Sequence, residues 1–198
     1  MAEHKLTLTN EEQAEYESLR EIRLESTTLR DGVILKMQVD KVRVCNGNIA
    51  TRELVRHLGA VCIVPLTEDG RIILERQYRY PLDRVITEIP AGKLDAATED
   101  PLEAAKRELR EETGYQAAEW IDLGDFYPAP AYTDEKIRMF LARGLTLGER
   151  ELDADEMINV FSLPLEEALA AVMRGEIPDA KTQMGILKAA AYLRTIHP

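Results

Sequence analysis

An α+β domain is what this sequence leads one to expect, on three observations. Strand-like apolar runs lie on both sides of one strongly signalled helix, two further helical patterns close the chain, and the connections carry turn residues rather than linker composition. Residues 33–44 (VILKMQVDKVRV) alternate in apolar character with period two, Asn46-Gly47-Asn48 supplies a turn, and residues 49–57 read as the returning hairpin partner. Residues 60–66 form a continuous apolar run, the pattern of a strand buried on both faces. Glu68-Asp69-Gly70 turns the chain, and residues 71–80 return as another strand. The helix at 101–113 has Asp100 as N-cap, Pro101 in its first turn, Glu103 in a capping-box-like position and Gly114 as its stop. Residues 119–128, 135–142 and the INVFSL segment read as strands, and 164–174 and 179–193 as helices. No stretch rich in Gly, Ser or Pro divides the chain. Residues 1–50 are therefore expected as a mainly stranded N-terminal extension, and 51–198 as one domain.

Composition narrows the classes of function. The 198 residues carry 25 Lys and Arg against 36 Asp and Glu, a formal charge of −11. At 45% hydrophobic and 31% charged residues there is material for a packed core, which argues against global disorder. The absence of an 18-residue apolar run leaves no membrane-spanning helix to expect. The first twenty residues are polar and acidic, without the apolar segment of a secretory signal, and Cys45 and Cys62 lack metal-site spacing. Both cysteines are expected as buried thiols of a reducing, cytoplasmic protein. The negative charge argues against nucleic-acid and membrane partners. An anionic substrate would need local arginines or a bound cation to reverse the field.

The helix carries the chemistry. At 100° per residue, Leu102, Ala105 and Leu109 share one core-facing stripe. Glu108 and Glu112 lie within about 40° of each other, and Glu111 flanks them. Like charges at this spacing repel, more strongly when partly buried. Two readings stay open on spacing alone: a solvated acidic face served by Arg107 and Arg110, or a site for a hard divalent ion with oxygen ligands.

The stretch from Gly92-Lys93-Leu94-Asp95 through Glu99 to Arg107-Glu108-Leu109-Arg110-Glu111-Glu112-Thr113-Gly114 resembles the Nudix box. The seven-residue gap from Glu99 to Arg107 and the Arg-Glu-Leu-Arg-Glu-Glu-Thr-Gly core are kept. Six residues rather than five separate Gly92 from Glu99, an expansion in the loop ahead of the helix. The resemblance implies the Nudix α/β/α sandwich around a mixed sheet, with an N-terminal β-strand extension. It implies Glu108 and Glu112 as principal ligands of Mg²⁺ or Mn²⁺, and Glu111 as a ligand directly or through water, counted among the catalytic residues. The Ala91 carbonyl would join the coordination, while Gly92, Glu99, Arg107 and Gly114 are structural members of the box.

Further segments resemble the ADP-ribose pyrophosphatases and their sugar-nucleotide relatives. These are Arg52-Glu53 with His57-Leu58-Gly59-Ala60, then Gln77-Tyr78-Arg79-Tyr80, Glu88-Ile89-Pro90-Ala91-Gly92 and Tyr127-Pro128-Ala129-Pro130-Ala131-Tyr132-Thr133-Asp134-Glu135. Pro130 stands sixteen residues beyond Gly114, where that subfamily carries a marker proline; Leu58 departs from the proline that relatives often have. The implied activity is metal-dependent hydrolysis of ADP-ribose to AMP and ribose 5-phosphate, in a homodimer whose N-terminal strands help build the partner's site. Arg52, Arg79 and Glu88 are the substrate-binding candidates, since an arginine fork suits phosphate or carboxylate oxygens. Asp153, Asp155 and Glu156 are the candidates for the base that activates water, with Glu156 favoured by its place before a strand. A GDP- or UDP-sugar substrate, or a binding module without hydrolysis, are the alternatives.

Overall fold

The computed structural model describes residues 9–152 and 156–196. The chain divides into two compact units: residues 1–57 with 129–134, and residues 58–128 with 135–198. The expected boundary after residue 50 falls inside a strand of the first unit.

The first unit opens with helix α1 (Asn10–Ser18), closed at its N-terminus by a capping box between Thr9 and Glu12. Its three-stranded antiparallel sheet has the order β1 (Ile22–Asp31), β2 (Lys36–Arg43), β3 (Ile49–Arg56). The alternating 33–44 segment and its return at 49–57 are thus β2 and β3. The turn between them leaves Cys45 exposed, so only Cys62 is the buried thiol that composition suggested for both.

The second unit is layered. Its larger sheet has the order β7 (Ala91–Lys93), β4 (Ala60–Pro65), β9 (Ile137–Leu147), β8 (Tyr115–Phe126); β4 and β9 run parallel and the other neighbours antiparallel. A second sheet has the order β10 (Ile158–Pro164), β5 (Arg71–Arg79), β6 (Arg84–Glu88), all antiparallel. The period of two along β4 separates two cores. Val61 and Ile63 pack with Phe140 and Ala142 against Ala104, Ala105 and Leu109 of α2 (Pro101–Thr113). Cys62 and Val64 pack with Met139 and Leu141 against α3 (Leu165–Met173) and α4 (Ala180–Ile196), through Leu165, Ala168, Ile186 and Ala189. The continuous apolar run at 60–66 is therefore a strand covered on both faces, between α2 on one side and α3 with α4 on the other. Among the described residues, no helix is long and apolar enough to cross a membrane.

Helix α2 begins and ends where its sequence says. The Asp100 carboxylate accepts from the N–H groups of Leu102 (2.9 Å) and Glu103 (3.2 Å). Gly114 adopts a left-handed φ of 75° and returns its N–H to Arg110 O. Glu103 turns outward to Lys106 (2.7 Å), so it serves an ion pair on the helix surface. The helix buries Glu112 along with its apolar stripe, and that carries acid into the core.

Candidate active site

Four carboxylates meet where β5, β6, β7 and α2 converge. On β5 the buried run Ile72, Ile73, Leu74 ends in Glu75, which is only 1% exposed. Opposite it in the β5–β6 register stands Glu88, also 1% exposed. From α2 come Glu108 and the buried Glu112. A carboxylate removed from water must be paired, hydrogen-bonded or protonated, and the four meet that demand differently.

Glu88 is compensated. Arg79 donates to it from Nε (2.6 Å) and Nη2 (2.8 Å), and Lys181 Nζ donates to its Oε2. Burial alone would raise its pKa, but the bonds and charges of Arg79 and Lys181 outweigh burial and hold it below the usual carboxylate range. Lys181 is itself anchored by Asp179 at 3.1 Å. Asp179 also accepts from Thr182 N, and Thr182 Oγ1 accepts from Ile89 N at 2.9 Å. The first turn of α4 thus grips both the Glu88 side chain and the backbone beside it.

The other three are under-compensated. Burial pushes Glu108 up to about 7, despite Arg107 Nη1 at 2.7 Å from its Oε1. Burial also raises Glu112 well above the ordinary range, and the charges of Glu75 and Glu108 push in the same direction. Its relief is one hydrogen bond, from Ala91 N–H to Oε2 at 2.9 Å. Glu75 is raised by burial and then by the facing charge of Glu88. Its Oε2 is buried and finds no hydrogen-bond partner among the described residues; the same holds for Gln77 Oε1, two residues along β5.

The backbone of β7 is shaped around these acids. A Cβ added at Gly92 would overlap the Glu108 carboxylate, so only glycine lets that group lie against the strand beside Ala91. Arg107 binds the rim together: it reaches Glu108, Glu111 (3.1 Å), Glu99 (3.4 Å) and the Lys93 carbonyl (3.4 Å). Glu99 accepts in turn from Asp95 N–H at 2.6 Å. Glu111 is less buried than Glu108 and is shared between Arg107 and Arg110.

The donor set suits a hard divalent cation: all oxygen, several formal charges, and an orphaned buried carboxylate oxygen that a cation would satisfy. As the side chains stand, no three His, Cys, Asp or Glu among the described residues are grouped closely enough to hold an ion. Glu108 is turned to Arg107 and Glu112 to Ala91 N–H, partners with which a bound cation would compete.

The remaining candidates divide by location. Glu156 contributes its charge to this cluster, raising both Glu108 and Glu112. It also lines a groove of about 620 Å³ together with Arg76, Tyr78, Val85 and Met157. Asp153 and Asp155 lie outside the described residues. Arg52 belongs to the first unit, where it is paired with Glu21. Glu75, Gln77 and Lys181 escaped sequence reasoning. A charged residue ending a buried strand run was the available signal for Glu75; nothing local signals Lys181, whose partner Glu88 is 93 residues away.

The family model described as the NUDIX domain matches residues 55–182. The chain is 42% identical over 171 residues to an ADP-ribose pyrophosphatase of Bacillus subtilis, covering 85% of this chain and 92% of that one. It is 42% identical to a methanol dehydrogenase activator of Bacillus methanolicus (78% and 84% covered) and to an ADP-ribose pyrophosphatase of Mycobacterium tuberculosis (85% and 82%). A crystal structure titled as an ADP compounds hydrolase superposes with a TM-score of 0.80 at 24% identity, over 89% of this chain and 95% of that one, which shows the shared fold. On the family model and on relatives matched over most of their length, this chain belongs to the Nudix family.

Proposed function

We propose that the chain is a divalent-cation-dependent pyrophosphohydrolase whose substrate is ADP-ribose, cleaved with water to AMP and ribose 5-phosphate. The observation that carries the reading is a buried, under-compensated carboxylate cluster in a chain 42% identical to a named ADP-ribose pyrophosphatase over 92% of its length. A non-catalytic binding module would have no use for two box carboxylates, Glu108 and Glu112, kept at the cost of burial.

Glu108 and Glu112, with the Ala91 carbonyl and Glu111, would hold Mg²⁺ or Mn²⁺. Such an ion, when bound, neutralises the diphosphate and lowers the pKa of water. The residues of the chain supply the rest. Arg79 keeps its plane through the two bonds to Glu88, and presents a guanidinium that is 38% exposed to a phosphate oxygen. Arg52 is the second substrate arginine of this reading. Glu156, placed so that its charge reaches Glu108 and Glu112, takes the proton from the attacking water. The Nudix box holds these groups in place through Gly92, Glu99, Arg107 and Gly114. A cytoplasmic homodimer, with neither nucleic acid nor membrane as partner, completes the proposal.

The test is release of the nucleoside monophosphate (AMP, GMP or UMP) from ADP-ribose, GDP-mannose and a UDP-sugar, each with Mg²⁺, with Mn²⁺ and with EDTA, beside Glu112→Gln. ADP-ribose should be hydrolysed fastest, EDTA should abolish turnover, and Glu112→Gln should lower kcat/KM by roughly 10²-fold or more. Preference for a GDP-sugar would move the substrate and keep the chemistry; turnover unaffected by EDTA would remove the metal.

A further inference from the structure

We infer that the cation site extends beyond the box motif onto β5, with Glu75 as an additional carboxylate ligand and Gln77 as an acceptor for the ion's water shell. The inference rests on the reading of the site given above and enlarges its donor set.

Successive side chains of a β-strand alternate between faces, so Glu75, Gln77 and Arg79 share one face of β5. Arg79 on that face is satisfied by Glu88. Glu75 and Gln77 are not: the buried oxygens Glu75 Oε2 and Gln77 Oε1 find no donor among the described residues. Two orphaned acceptors two residues apart call for something that is positively charged or donates hydrogen bonds, because a buried polar group left unmet is costly.

Neighbouring cations do not fill that role. Arg79 commits its hydrogen bonds to Glu88, Lys181 divides its own between Glu88 and Asp179, and Arg150 Nη2 donates to the Ile158 carbonyl at 2.9 Å. All three attract Glu75 through space without bonding it. On the other side stands acid. Glu75 adds to the repulsion felt by Glu112, whose own position at the β7 backbone is fixed by Ala91 N–H. One hard cation with oxygen ligands would relieve both carboxylates, and its waters would donate to Gln77. At 1% exposure Glu75 is not met by bulk water.

The test separates this inference from the reading it rests on. Mn²⁺ binding to the metal-stripped chain is followed by calorimetry and by the electron paramagnetic resonance of free Mn²⁺. Wild type, Glu75→Gln, Glu75→Leu and, as reference, Glu112→Gln are compared, and the melting temperature of each is taken in EDTA. The expectation is opposite movement of two quantities. Both Glu75 variants should melt higher than wild type without metal, since the acid that burial and the facing Glu88 disfavour is gone. Both should also bind Mn²⁺ about tenfold or more weakly, or lose one bound ion. Unchanged Mn²⁺ affinity and stoichiometry in both, with Glu112→Gln impaired, would overturn the role of Glu75 and leave the box site standing. No Mn²⁺ binding by wild type would overturn both. Should Glu75→Leu misfold, the near-isosteric Glu75→Gln decides.

Discussion

At the scale of single residues, the site is governed by what each carboxylate is given in exchange for water. Glu88 receives two bonds from Arg79 and one from Lys181, and it stays ionised. Glu112 receives one backbone N–H, and Glu75 receives no hydrogen bond among the described residues. That asymmetry separates a group that orients an arginine from the groups proposed to take a cation. Gly92 is the sharpest dependency, because any side chain there collides with Glu108. Gly92→Ala should therefore displace that carboxylate from the strand. Its Mn²⁺ affinity should fall by about tenfold or more, with the fold retained by circular dichroism. Wild-type affinity in Gly92→Ala would show that Glu108 need not lie against β7. Helical spacing brought the box acids together on the sequence, and the resemblance to the Nudix box, not the spacing alone, marked them as ligand candidates. Glu75 and Lys181 were not, since a strand face and the start of a distant helix come together only in the folded chain.

At the scale of elements, α2 places the acids and β7 supplies the backbone they lie against. The helix could be read to the residue because its signals are local: Asp100 bonding the N–H groups of the first turn, Pro101 within it, and Gly114 in the left-handed region. Loss of the cap in Asp100→Ala should cost about 1 kcal/mol, a fall of roughly 2–4 °C in Tm for a chain of this size. A calorimetric scan with no fall would show that packing against Val61, Ile63 and Phe140 holds the helix alone. Elements whose limits rest on pairing rather than on caps were harder to place. β8 begins at Tyr115 and β9 extends to Leu147, beyond the expected 119–128 and 135–142, because their shared register continues into residues of weak apolar character such as Gln116 and Thr146. β1 pairs with β2 although all ten of its residues are exposed, so no alternation marked it. α1 also buries no residue; its Thr9–Glu12 capping box was the one sign of it.

At the scale of the whole molecule, a chain of charge −11 concentrates carboxylates at one buried point. Strain of that kind should appear in the dependence of stability on pH. For Glu108, Glu112 and Glu75 the folded-state pKa lies above the unfolded value near 4.5. The folded state therefore holds protons that the unfolded chain has already released. Stability is full below that value and declines as pH rises through the raised values, about 7 for Glu108. Groups held low, such as Glu88 and Asp134, act in the acid range and do not offset this decline. The decisive measurement is the melting temperature from pH 5 to pH 8, once in EDTA and once with excess Mg²⁺ or Mn²⁺. In EDTA it should fall by about 5 °C across that range; with the cation it should hold level or rise, with the two curves separating most at pH 8. Curves that coincide at every pH would mean that these acids are not kept for a metal, and a flat curve in EDTA would mean that they are not strained.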